Sequence, residues 1–224
     1  MLARQVERLG RAALIDTLCV ATSAQADDDP LVALCAAHSI AVARGSLGDV
    51  LDRYYQAALP YEPQHVVRVT GDCPLIDPQV VDLVIRAHLE AGNDYSSNTL
   101  TPTYPDGLDV EVFRFAALRR AWSEARLASE REHVTPYIKT RPDIFRLGNV
   151  TNDEDLSALR WTVDYPRDLE MVRQVYAALY PRNPGFVMAD ILELLRVRPD
   201  IAGMNTGVER DEGYLKSLRN DFEV

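Results

Sequence analysis

The sequence predicts an α/β fold: a mixed, mostly parallel sheet with helices on both faces. Three observations carry this expectation. Short apolar runs alternate with helix-like stretches through residues 18–91, the rhythm of strand–helix–strand units. The run Val66, Val67, Val69 reads as a buried parallel strand. It leads into Gly71-Asp72-Cys73-Pro74, and Pro78 follows where a helix would place its first residue. A carboxylate therefore stands in a tight turn at the C-terminal end of a strand, the place where open α/β sheets bind ligands.

Taken in order, residues 1–11 space Leu2, Val6 and Leu9 as an amphipathic helix. Residues 18–22 form a short strand and 23–30 a polar turn. A helix over 31–38, a strand near 40–43, a loop at 44–46 and a helix over 48–59 follow. The strand at 65–70 and a helix over 78–91 continue the alternation. Residues 99–107, with Pro102, Pro105 and Gly107, make a loop long enough to carry function. Residues 108–113 alternate apolar and acidic side chains with period two, as in a half-exposed strand. Helices are expected at 116–126 and 129–140, strands at 145–150 and 159–163, helices at 166–180 and 188–196, and a surface tail with a short helix over 205–224. The whole reads as one domain, without repeats.

The formal charge of −10 supplies no basic surplus for a general nucleic-acid binder. No apolar run is long enough to span a membrane. Cys19, Cys35 and Cys73 are odd in number and form no CxxC, which fits a reducing cytoplasm. The 24 basic residues include only two lysines, Lys139 and Lys216. Such a bias suits bidentate recognition of phosphate or carboxylate by Arg, but as a whole it is better read as a genome-wide preference for Arg codons.

Asp164, in Trp161-Thr162-Val163-Asp164-Tyr165-Pro166, is a second strand-end carboxylate. Two such aspartates suit Mg2+, which takes one or two carboxylates plus substrate phosphates; a lone strand-end Asp also serves as a helix cap or turn former. The segment Arg44-Gly45-Ser46-Leu47-Gly48-Asp49 through Arg53 offers backbone N–H groups at a helix start, or simply a well-capped helix. Tyr104, Asp106 and Asp109 suit sugar hydroxyls, although Pro105-Asp106-Gly107 also satisfies a turn unaided. Ser129 and Glu132 have the spacing of a capping box, while Arg131 and His133 are candidates for an anionic substrate. His38, His65 and His88 read as structural.

Together these segments resemble the cytidylyltransferase family of spore-coat polysaccharide biosynthesis protein F, related to the synthetases of CMP-activated Kdo and sialic acid. The resemblance runs through 44–55, Thr70 to Ile76, Tyr104 to Glu111, Ser129 to Tyr137, Arg160 to Asp164, and 212–215, in order along nearly the whole chain. It implies a Rossmann-like nucleotide-diphospho-sugar transferase fold. The implied reaction is attack by an acidic sugar or similar acceptor on the α-phosphate of CTP, with Mg2+ as cofactor and a homodimer as the assembly. By position, Asp72 and Asp164 match the metal-binding, catalytic aspartates. Arg44, Ser46, Arg53 and Arg68 fall on the nucleotide side, and Tyr104, Asp106, Arg131 and His133 on the acceptor side.

Family members begin with a strand and a basic loop of the form Gln-Ala-Arg-x-Gly-Ser-x-Arg-Leu-Pro-x-Lys around the triphosphate. No segment here matches it, and Met1 aligns just after it. The expectation is a chain truncated at its N-terminus, without the first strand and feeble or inactive alone. Two other readings compete: a non-catalytic nucleotide- or sugar-binding protein, and a glycosyltransferase using a nucleotide sugar.

Overall fold

The structure, a computed structural model, describes residues 1–208 and 210–224. In chain order the elements are α1 (Leu2–Leu9), β1 (Cys19–Ser23), α2 (Asp29–Ala37), β2 (Ala41–Gly45), α3 (Val50–Ala58), β3 (His65–Arg68), α4 (Pro78–Ala91), β4 (Tyr95–Ser97) and β5 (Glu111–Arg114). They continue with α5 (Phe115–Glu124), α6 (Ala128–His133), α7 (Pro136–Lys139), β6 (Leu147–Asn149), α8 (Pro166–Leu179), α9 (Met188–Val197), α10 (Pro199–Ala202) and α11 (Glu212–Arg219).

The strands form a parallel pair, β1-β2, and a four-stranded sheet in the order β3-β5-β4-β6. Only β5 runs antiparallel to its neighbours, so β3, β4 and β6 share one direction. The α/β class with a mixed, mostly parallel sheet is therefore as the sequence predicts. β3 differs in its surroundings: its hydrogen-bonded partner is the antiparallel β5, and it lies at an edge of its sheet, half-buried.

Helices cover both faces. On β5 Val112 packs into a core built from α4, α8 and α9, and Phe113 into a second core built from α3, α5 and α7. Period-two alternation separates the two faces, but neither is solvated: Glu111 is only 6% exposed. Its carboxylate is paired with Arg68 and accepts hydrogen bonds from the Tyr95 and Thr135 hydroxyls, both at 2.6 Å. Those partners hold it below its ordinary pKa, Arg68 foremost, against the upward push of burial.

Local chemistry sets several boundaries. α4 starts where predicted, with Pro78 first and the Asp77 side chain accepting the Gln79 N–H. The helix expected over 129–140 is two short ones, because Val134 adopts φ +72° and Pro136 starts α7. Its N-terminal box uses Glu130 rather than Glu132: the Glu130 carboxylate accepts the Arg126 and Leu127 N–H groups, while Ser129 binds Asp221. The strand expected at 159–163 reduces to one parallel bridge, Arg160 with Asp106. The three-residue β4 gave no pattern long enough to read.

Candidate functional site

α1 fastens the Asp72 turn from outside. Gln5 Nε2 donates to the Thr70 carbonyl (2.6 Å) and Arg8 Nε to the Ile76 carbonyl (2.7 Å). Both side chains are buried, and the Arg8 guanidinium lies over the Phe186 ring, 4.2 Å from its centroid.

On its inner side the turn receives the 160–164 segment. The Val163 N–H donates to the Asp72 carbonyl at 2.9 Å, which fastens the 160–164 backbone to the Asp72 turn. The same segment pairs with Asp106 through Trp161 N–H to Asp106 O (2.6 Å). Gly107 makes that approach feasible. Its φ is +106°, and a Cβ there would stand 2.6 Å from the Trp161 carbonyl carbon and the Thr162 nitrogen, so only glycine fits without strain.

Behind Asp164 lies a hub the sequence did not announce. Arg160 donates to Asp106 (3.1 Å), to Asp164, and through Nε and Nη2 to Asp168 (3.2 and 3.1 Å). Asp168 is fully buried and also accepts the Asp164 and Tyr165 N–H groups and the Asn205 amide. Burial pushes the Asp168 carboxyl up, but the Arg160 hydrogen bond and the backbone donors hold it below its usual range. Burial likewise lowers the Arg160 pKa, and Asp168 and Asp164 more than offset that effect. The only sequence signal was the position of Asp168, two residues into a helix opened by Pro166, where it reads as a cap.

These groups border a cavity of about 530 Å³. Asp72, Asp164, Arg68, Asp106 and His133 line it, together with Asp109, Glu111, Thr135, Lys139, Tyr214 and Lys216. Asp109 sits 26% exposed, paired with Arg210; burial is the main cause that raises its pKa, to about 7. Burial also raises Asp106 and lowers His133.

The remaining predicted site residues are not in the cavity lining. Arg44 bridges to Asp29 and donates to the Ser23 and Gln25 carbonyls. The Ser46 hydroxyl accepts the Asp49 N–H, and Arg53 donates to the Ser46 carbonyl at 3.1 Å. Arg131 binds Asp49 and the Trp122 carbonyl. Tyr104 is core, 3% exposed, with its carbonyl accepting from Arg210.

Among the described residues no cluster of three or more His, Cys, Asp or Glu side chains is arranged to hold a metal by itself. Asp72 and Asp164 nevertheless fit a Mg2+ shared with phosphates. They are hard oxygen donors that line the same cavity, and one oxygen of each has no hydrogen-bond donor among the described residues. No helix among the described residues is long and apolar enough to cross a membrane.

A cytidylyltransferase family model matches residues 1–194. The spore coat polysaccharide biosynthesis protein SpsF of Bacillus subtilis is 32% identical over 195 residues, covering 84% of this chain and 78% of that protein. A 3-deoxy-manno-octulosonate cytidylyltransferase of Anaeromyxobacter dehalogenans is 31% identical over 219 residues, covering 80% and 87%. A solved cytidylyltransferase from Leptospira borgpetersenii superposes with a TM-score of 0.86 at 30% identity, covering 93% of this chain and 87% of that one. A CMP:2-keto-3-deoxy-manno-octonic acid synthetase solved with CTP, at 16% identity and a TM-score of 0.57 over 79% and 87%, shares the fold.

Proposed function

Because this chain belongs to the cytidylyltransferase family, we propose that it transfers CMP from CTP to an acidic sugar or related acceptor in surface-polysaccharide biosynthesis, releasing pyrophosphate. The observation that carries this reading is the docking of the 160–164 segment on the Asp72 turn, with Asp72 and Asp164 both lining the cavity.

In this proposal Asp72 and Asp164 hold Mg2+. When bound, the ion would neutralise charge on the phosphate oxygens as pyrophosphate leaves. Arg160, itself fixed by Asp168, aims the Asp164 carboxylate. Arg68 serves the nucleotide side, with Arg44, Ser46 and Arg53 shaping the turn before α3. An acceptor hydroxyl attacks the α-phosphorus, the bond to the bridging oxygen of pyrophosphate breaks, and the hydroxyl proton passes to solvent or a cavity carboxylate. Asp106 and His133 border the acceptor's space, while Tyr104 and Arg131 act from behind it through Arg210 and Asp49. Three free thiols agree with work in the cytoplasm.

The test is incubation with CTP, Mg2+ and a panel of sugar acids, reading pyrophosphate and a CMP-linked product. Metal-dependent release of both supports the proposal. Release of free nucleoside mono- or diphosphate from a nucleotide sugar would instead favour a glycosyltransferase. Binding of a CMP-sugar without turnover would favour a binding protein.

A further inference from the structure

The chain has only two lysines among its 24 basic residues, and both border the same cavity. Every arginine there is engaged with carboxylates: Arg68 with Glu111, and Arg160 with Asp106, Asp164 and Asp168. Arg210, next to the lining residue Asp211, is engaged with Asp109. Neither lysine has a carboxylate within salt-bridge distance among the described residues. The Lys139 ammonium instead stands 4.7 Å from the centroid of the Tyr214 ring, and Lys216, two residues further along α11, is exposed and borders the same cavity.

The difference in chemistry matters. A guanidinium beside Asp or Glu locks into a bidentate, geometrically fixed pair. An ammonium is a compact charge on a flexible stem with three rotatable donors, suited to a group that arrives and leaves. The other ionisable groups facing this region do not supply a competing cation. Burial holds His133 below its ordinary pKa, with Nε2 3.0 Å from the Ser217 hydroxyl. Glu212 accepts from the Tyr165 hydroxyl, Glu111 pairs with Arg68 and also feels the Lys139 charge, Asp106, Asp109 and Asp164 pair with Arg160 or Arg210, and Asp211 and Asp72 complete the carboxylates of the lining.

We propose that Lys139, beside the Tyr214 ring, and Lys216, on the same cavity, form the subsite that binds the carboxylate of the acceptor and selects acidic over neutral sugars. This inference rests on the cytidylyl-transfer reading for the identity of the second substrate.

With two lysines, the subsite can be observed directly. Reductive 13C-methylation keeps the positive charge and gives two lysine NMR signals besides that of the N-terminal amine. The probes are 3-deoxy-manno-octulosonate, N-acetylneuraminate, their methyl esters, and CTP with Mg2+. Support would be movement of both lysine signals by at least one free acid, at a concentration roughly tenfold below that needed by its ester, one charge-assisted hydrogen bond's worth. CTP alone should leave them in place. Lysine signals that no acid moves, or that CTP moves as strongly as an acid, would overturn the subsite. Calorimetric titration of the unmodified protein with CTP and Mg2+ is read separately, and its failure counts against cytidylyl transfer without touching the lysine result. As a second measurement, K139M/K216M should raise the acceptor KM by about tenfold or more, leave the CTP KM unchanged, and recover with K139R/K216R; an unchanged acceptor KM would refute the assignment.

Discussion

At the scale of single residues, Asp72 and Asp168 have opposite expected signatures. Asp72 has one carboxylate oxygen without a donor and faces the cavity. Asp72→Asn should abolish Mg2+-dependent CTP binding while leaving the unfolding midpoint nearly unchanged; calorimetry with and without Mg2+ checks it. Asp168 is the fully buried partner of Arg160, so Asp168→Ala leaves the guanidinium to Asp106 and Asp164 and strips the acceptor from the Asp164 and Tyr165 N–H groups and the Asn205 amide; it should destabilise by about 3–5 kcal/mol, measured by denaturant unfolding. Two titrating groups should shape the acid limb in opposite senses. Burial and the neighbouring His65 lower His88 from 6.5 to about 4, so the unfolded chain binds more protons between those values. Its stabilisation is present above about pH 6.5 and lost as pH falls toward 4. Asp109 is raised from 3.8 to about 7, so the folded chain binds the extra proton there and its contribution fades as pH rises through that window. Unfolding free energy followed from pH 4 to 6.5 should rise more steeply in Asp109→Asn than in wild type, and less steeply in His88→Gln.

At the scale of elements, α1 and the Gly107 turn both bear on the aspartate pair without touching a ligand. Gln5→Leu removes the donor to the Thr70 carbonyl and should cost roughly 1–3 kcal/mol, with weaker Mg2+ affinity as the Asp72 turn loosens. Gly107→Ala forces a Cβ into the 160–162 backbone and should cost more than about 2 kcal/mol; a reduced denaturant midpoint together with lost metal dependence would show that the pairing sets Asp164. The elements easiest to read in the sequence had local punctuation, as with Asp77-Pro78 opening α4. Less legible ones are defined by partners distant in sequence. β4 is three residues held by β5 and β6, and 160–164 is ordered by Asp72 and Asp106 rather than by a ladder. The alternation in β5 signalled two faces but not that both are buried, because the partner that satisfies Glu111, Arg68, lies 43 residues away.

At the scale of the whole molecule, the cavity is completed by its C-terminal segment. Arg210 joins Asp109, Glu212 joins Tyr165, Ser217 joins Glu132, and Asp221 joins Ser129. Arg210→Ala should release this segment at small cost, since Asp109 takes up a proton near neutral pH. Hydrogen exchange should accelerate by about tenfold or more in Glu212–Arg219 with β5 amides unchanged. Asp72 and Asp164 were legible because turn and proline chemistry frames them; Lys139 and Lys216 were visible only as a compositional rarity, since 77 positions separate them and only folding brings them to one cavity. The Arg160–Asp168 hub has a consequence for descent. Exchanging Arg160 leaves Asp168 charged in the interior without its cation, and exchanging Asp168 removes the one fully buried carboxylate that holds the guanidinium in place, so a lineage has no gentle single step away from it. The pair should be inherited or replaced together, and among relatives a change at one position should be accompanied by a change at the other.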